Sequence, residues 1–260
     1  MNYYLIHIQY LGFRFHGWQK QPGVKTVESM VFKTVEFVLG HSDFKVLGSS
    51  RTDAMVSANQ TAFELFLDED LDTERFLTAF NANLPPDIRA LDMTCVDKNF
   101  NIINSPRVKE YLYLFSWGEK FHPFCAPFMT YVDCPLDIEL MKEGAKLFEG
   151  CHNFIRYCTK PSADTCLERD ILVSRIETNT YYTASFFPDQ TWAYRVRSKG
   201  FMRHQIRLMM GQLFALGKNE IGLKDIQTSL LGEDKRPFKT IAPASGLILN
   251  TIDFKGEHDR

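Results

Sequence analysis

Phe44-Lys45-Val46-Leu47-Gly48-Ser49-Ser50-Arg51-Thr52-Asp53-Ala54-Met55-Val56-Ser57-Ala58 and Gln60-Thr61-Ala62-Phe63-Glu64-Leu65-Phe66 decide how the chain is read. Apolar Phe44, Val46 and Leu47 precede a run of small residues, and Val56, Ala58 and Phe63 follow it. This predicts a strand, a tight turn carrying Arg51 and Asp53, and a second strand over 60–66. Asp53 is the only acid between Asp43 and Glu64. A carboxylate among apolar neighbours is costly unless paired, and Arg51 lies two positions before it. Two readings stay open for the segment. One is an Arg–Asp ion pair capping a turn, the commoner fate of such residues. The other is a positioned, ionised carboxylate serving as nucleophile or general base.

Outward from the turn, residues 3–10 alternate as a strand, and Thr26 is a fair N-cap for a helix carrying Val27, Val31, Val35 and Val38. Residues 72–81 read as a second helix and 89–96 as a strand. The order β-α-β-β-α-β is the ferredoxin-like arrangement, which RNA-binding modules also use. Polar residues 97–105 form a crossover to a second half. That half begins with a strand over 110–117 whose Tyr111, Tyr113, Phe115 and Trp117 share one face. An insertion over 118–135, a helix over 138–148, a loop over 161–169 and strands over 174–186 and 192–199 follow. Next come a long helix over 201–216, which takes in Arg203 and Arg207, a short helix over 223–230 and a closing strand over 247–254. The expected fold is α+β, two ferredoxin-like (RRM-like) halves with mostly antiparallel sheets joined around a central catalytic cleft. The domains are 1–99, carrying the Asp53 loop, and 100–260, completing the cleft.

The 260 residues suffice for a substantial core. No apolar run is long enough to span a bilayer and the start has no basic leader, which places the chain in the cytoplasm. The six cysteines form no C-x-x-C pair; Cys151, Cys158 and Cys166 near His152 could hold a metal, but buried free thiols are the commoner outcome. No phosphate-loop, dinucleotide or H-E-x-x-H motif is present, and no metal or cofactor is expected. A net charge of −2 is low for an RNA binder, yet 190–219 contains no acid and six Lys and Arg, including Arg195, Arg197, Arg203 and Arg207. Acids gather instead at Asp68-Glu69-Asp70, Glu257 and Asp259. This is the pattern of a locally positive cleft, or of a solvated basic face.

Six segments, in order, resemble the tRNA pseudouridine synthase A (TruA-type) family. They are Gly17-Trp18-Gln19-Lys20-Gln21, Arg51-Thr52-Asp53, Asn81-Ala82-Asn83-Leu84-Pro85-Pro86-Asp87-Ile88, Lys109-Glu110-Tyr111-Leu112-Tyr113, Phe201 to Arg207 with Gly211 and Leu213, and Ala242-Pro243-Ala244-Ser245-Gly246-Leu247. The resemblance implies an isomerase that turns uridine into pseudouridine in structured RNA, above all the tRNA anticodon arm. Asp53 would be the catalytic carboxylate and Arg207 its charge partner. Tyr111 would stack on the uracil, Arg51 would hold the space of the flipped base, and Leu247 would wall the pocket. Arg14, Lys20 and Arg203 are candidate RNA contacts. Trp18 lines the RNA channel or, more simply, buttresses the loop. A homodimer is implied as well. Met55 and Ser57 stand where the family has Gly and His, and Asn101 and Ile103 where it has His and Arg. Met55 predicts a loop that bends differently or meets RNA less closely. These departures motivate the alternatives, the same chemistry on ribosomal or other RNA and a non-catalytic RNA-binding relative.

Overall fold

A computed structural model describes residues 1–254. Glu257, Asp259 and the end of the 100–260 range lie outside the described residues. The chain divides into two compact units, Met1–Arg107 with the residues from Ile248 onward, and Val108–Leu247.

The first unit runs β1 (Asn2–Tyr10), α1 (Val27–Leu39), β2 (Phe44–Gly48), β3 (Ser57–Leu67), α2 (Thr73–Asn83) and β4 (Ile88–Cys95). Its strands lie in the order β4-β1-β3-β2, all neighbours antiparallel, which is the ferredoxin-like order expected from the sequence. Alternation sets the two faces. Tyr4, Ile6 and Ile8 of β1 and Phe63, Leu65 and Leu67 of β3 are buried, together with Val27, Val31 and Val35 of α1 and Phe76 and Phe80 of α2. Phe80 stacks on Phe76 and meets the edge of Phe63. Thr26 caps α1: its hydroxyl accepts from the Ser29 N–H at 3.3 Å, and the Ser29 hydroxyl accepts from the Thr26 N–H at 3.1 Å. Asn81 ties the end of α2 to β4 by donating to the Ala90 carbonyl and accepting from the Ala90 N–H.

The second unit contains β5 (Pro106–Trp117), β6 (Thr130–Val132), α3 (Ile138–Lys146), β7 (Gly150–Asn153), β8 (Glu168–Thr178), β9 (Trp192–Ser198), α4 (Gln205–Gly217) and α5 (Leu223–Ser229). Strands β5-β9-β8-β7 form an antiparallel sheet, and β6 runs parallel to β5. Helix α3 packs on β8 and α4. The Ser174 hydroxyl joins these layers through the Ala145 carbonyl and the Tyr194 hydroxyl. Tyr113 and Phe115 are fully buried and meet Phe214 of α4 edge-on. The closing strand β10 (Leu247–Phe254) pairs in parallel with β3 at Ser57 and Ala58, on the stretch that β2 leaves uncovered.

The fold is thus α+β with mostly antiparallel strands. The larger departures from the expected elements lie in the second unit. The strand read over 174–186 spans Glu168–Thr178, so it takes in the end of the loop read over 161–169. Asn179 stops it: its amide group holds the Tyr182 carbonyl and the Thr191 hydroxyl, and its oxygen accepts from the Tyr181 N–H, making a turn. The short strands β6 and β7 carried no apolar alternation to read. Helix α4 starts at Gln205, after His204 in the left-handed region at φ 60°, so Arg203 sits in the preceding turn. Replacing Thr26 by Ala should cost about 1 kcal/mol of stability, read as a lower denaturation midpoint with an unchanged slope.

Candidate active site

Asp53 is half-buried in the loop between β2 and β3, and the segment after β1 holds that loop from below. The Thr52 carbonyl accepts from the Trp18 N–H at 3.2 Å, and the Tyr10 hydroxyl bonds the Thr52 hydroxyl at 2.8 Å. The Met55 N–H donates to the Phe15 carbonyl, the Val56 N–H closes a turn onto the Asp53 carbonyl, and the Gly12 N–H donates to the Ser57 hydroxyl. Two glycines permit this approach. A Cβ on Gly17, whose φ is +84°, would lie 2.5 Å from the Thr52 carbonyl oxygen, and one on Gly12 would lie 2.0 Å from that of Val56. Trp18 is 2% exposed, and its ring fills the space where Gly48 would carry a side chain. It therefore buttresses the loop.

Arg51 is exposed, and among the described residues no ion pair joins it to Asp53. The simple turn-capping pair is not formed. Met55 has the left-handed conformation at φ 68°, which costs a residue with a side chain about 1 kcal/mol. Two expected RNA contacts have protein neighbours: Arg14 pairs with Asp87 at 2.7 Å, and the Lys20 ammonium lies 4.9 Å from the centre of the Phe32 ring.

In the second unit, three of the sequence segments converge. The Arg207 Nε donates to the Ala242 carbonyl at 2.8 Å, and the Ala242 N–H donates back to the Arg207 carbonyl. A Cβ on Gly211 would lie 2.4 Å from the Thr240 carbonyl oxygen, so only a glycine lets this strand of chain lie against α4. The Tyr113 hydroxyl reaches the Pro243 carbonyl and the Thr130 hydroxyl, and the Leu114 N–H donates to the Gly246 carbonyl. Burial pushes the Tyr113 phenol far above its ordinary pKa. It is a strut. Tyr111 is 9% exposed, with its ring edge-on to Phe201 at 5.3 Å. Leu247 is buried at the start of β10, and Arg203 is exposed. The structure therefore places Tyr111, Arg207 and Leu247 on one shared frame.

Several contributing residues were not singled out in the sequence. Glu110 is buried, hydrogen-bonds Arg195 and lies within ion-pair distance of Arg197, at 2.6 Å and 3.5 Å respectively. One carboxylate of the neighbouring strand thus faces two cations of the acid-free stretch and offsets one of their charges, a pairing legible only once Glu110 is opposite Arg197. Lys109 next to it titrates at about 8, lowered by desolvation. Tyr10 and Gly12 gave no signal beyond their place at the end of a strand. Among the described residues no group of three His, Cys, Asp or Glu is arranged to hold a metal ion, and no helix is long and apolar enough to cross a membrane.

Known proteins give the class of the chain. Residues 145–255 match the family model described as tRNA pseudouridine synthase, and the chain is an enzyme of the pseudouridine synthase class. The tRNA pseudouridine synthase A of Listeria monocytogenes is 30% identical over 98% of this chain and all of its own length. That of Dictyoglomus thermophilum is 29% identical over 96% of this chain and 98% of its own length. Among solved structures, a Cbf5-Nop10-Gar1 complex aligns at 18% identity and a TM-score of 0.32 over 80% of this chain and 46% of that one, too slight a likeness to argue from. The chain belongs to the tRNA pseudouridine synthase A family. Gly17→Ala should unseat the Asp53 loop, since it adds both backbone strain and a clash with Thr52. Turnover should fall by more than about tenfold, together with a loss of more than about 1 kcal/mol in stability. Wild-type turnover in this variant would show that the bracing is unimportant.

Proposed function

We propose that the protein isomerises uridine to pseudouridine in tRNA, at the anticodon arm, with Asp53 as the reacting carboxylate. The observation that carries this reading is the bracing of the Asp53 loop by Gly17, Trp18 and Tyr10, which fixes a half-buried carboxylate without an Arg51 pair. The names of the full-length relatives support tRNA over ribosomal RNA, and enzyme over non-catalytic relative.

The target base must leave its stack to reach the carboxylate. Asp53 engages C1′ as the C1′–N1 bond breaks, and the freed uracil turns. C5 then bonds to C1′ as the Asp53 carboxylate leaves it, the C5 proton is lost, and N1 takes up a proton. Nothing is gained or lost overall, so no co-reactant is required. Tyr111, its ring seated against Phe201, stacks on the uracil, while Leu247 walls the pocket. Arg51, exposed at the loop, holds the space of the flipped base. Arg207 supports the charge of the carboxylate. Arg203 serves the phosphates, with Arg14 and Lys20 as weaker contributors because Asp87 and Phe32 already engage them. The reading extends to a homodimer working in the cytoplasm; its support is the resemblance.

Asp53→Asn should fold and bind unmodified tRNA, yet release no tritium from tRNA labelled at C5 of uridine. Turnover within about tenfold of wild type would overturn the assignment. Arg207→Met should lower kcat by roughly a hundredfold while the Kd for tRNA stays within a few-fold. A loss confined to affinity would make Arg207 a phosphate contact instead.

A further inference from the structure

Met55 follows Asp53 by two residues, so their Cα atoms are at most about 7.6 Å apart. Its backbone is fixed from outside, by the Phe15 carbonyl that takes its N–H and by the turn between Asp53 and Val56. At φ 68° that backbone favours glycine. Met55 is also 36% exposed, so a large apolar side chain stands partly in water at the tip of the loop. Folding gains little from this residue, and strained non-glycine positions gather at functional sites.

We propose that Met55 is an apolar wedge that packs against the bases flanking the target uridine and holds the extruded base out of the stack. The proposal rests on the RNA-modifying reading above. An unbranched, polarisable side chain suits the face of a nucleobase, and methionine is among the side chains that unstack base steps in this way. The nucleotides beside the target stay joined to it through the backbone, so a target held at Asp53 brings them close to Met55, two residues away in the loop. The wedge thus assigns the side chain a role in positioning substrate, separate from the chemistry at Asp53.

The test uses the full chain and an anticodon stem–loop RNA with 2-aminopurine beside the modified uridine. Melting temperature, kcat, KM and fluorescence on binding are compared for wild type, Met55→Gly and Met55→Leu, with binding read in the Asp53→Asn background. Met55→Gly should melt no lower than wild type, lose about tenfold or more in kcat with a smaller change in KM, and lose the fluorescence rise that reports unstacking. Met55→Leu should restore both kcat and fluorescence. A glycine variant with wild-type kcat and fluorescence overturns the wedge, as does a leucine variant as deficient as glycine. If wild type itself releases no tritium from labelled tRNA, the functional reading falls first, and the two failures are told apart.

Discussion

The Thr52 carbonyl oxygen occupies the space where a side chain on Gly17 would begin. The bracing of the Asp53 loop by the segment after β1 follows from that approach. It brings the Trp18 N–H under the same carbonyl, sets the Tyr10 hydroxyl against Thr52, and lets Phe15 take the Met55 N–H. The segment that does the bracing is the continuation of β1, whose register on β3 shifts between Ile8 and Tyr10. Strand pairing therefore carries positional information to the loop before any catalytic side chain is considered. A carboxylate that must meet one carbon atom of a ribose benefits from such stiffness, because catalysis loses little energy to reorganising a site that is already placed.

The second unit uses the same device. Gly211 admits Thr240, and Gly246 admits the Leu114 carbonyl oxygen at a distance no side chain would allow. The closing segment is thereby pinned to β5 and α4 at once. Arg207 spends its Nε on the Ala242 carbonyl, which orients the rest of a guanidinium whose five donors form a rigid fork. Two tyrosines of one strand divide the work. Tyr113 is sealed by two hydroxyl bonds and held neutral by burial, while Tyr111 keeps a ring whose edge rests on Phe201.

The first unit was legible because period-two alternation, the Thr26 cap and the apolar face of α2 all point to one answer. What escaped reading was short, polar or dependent on a neighbour. Gly150–Asn153 pairs with β8 without an apolar pattern of its own. Residues 179–186 carry strand-forming aromatics, and one Asn179 side chain overrides them with a turn. Arg203 was read onto a helix whose start is set by a left-handed His204, a conformation that residue type announces weakly. Asp53, Tyr111 and Arg207 were legible as a set only through the order and spacing of six segments. The contacts of Glu110 with Arg195, of Tyr10 with Thr52 and of Arg14 with Asp87 depend on register, which a linear reading does not supply.

The departures from the family pattern follow the same division between frame and reach. Ser57 still serves the frame, because its hydroxyl takes the Gly12 N–H in a buried position. Asn101 accepts the N–H groups of Ile103 and Asn104, closing the turn that seats fully buried Ile102. The Ile102 N–H in turn donates to Glu64; that bond and Lys45 partly offset the desolvation that raises the Glu64 carboxyl. These contacts give the crossover a packing role that needs no His or Arg. Ile103, half exposed, is left on the surface with no such task. Substitutions that keep the backbone contacts can therefore alter what the surface presents to RNA while the carboxylate stays where β1 and Gly17 put it. Met55 is the sharpest instance, since its backbone is held by Phe15 and the Asp53–Val56 turn while its side chain stands partly exposed.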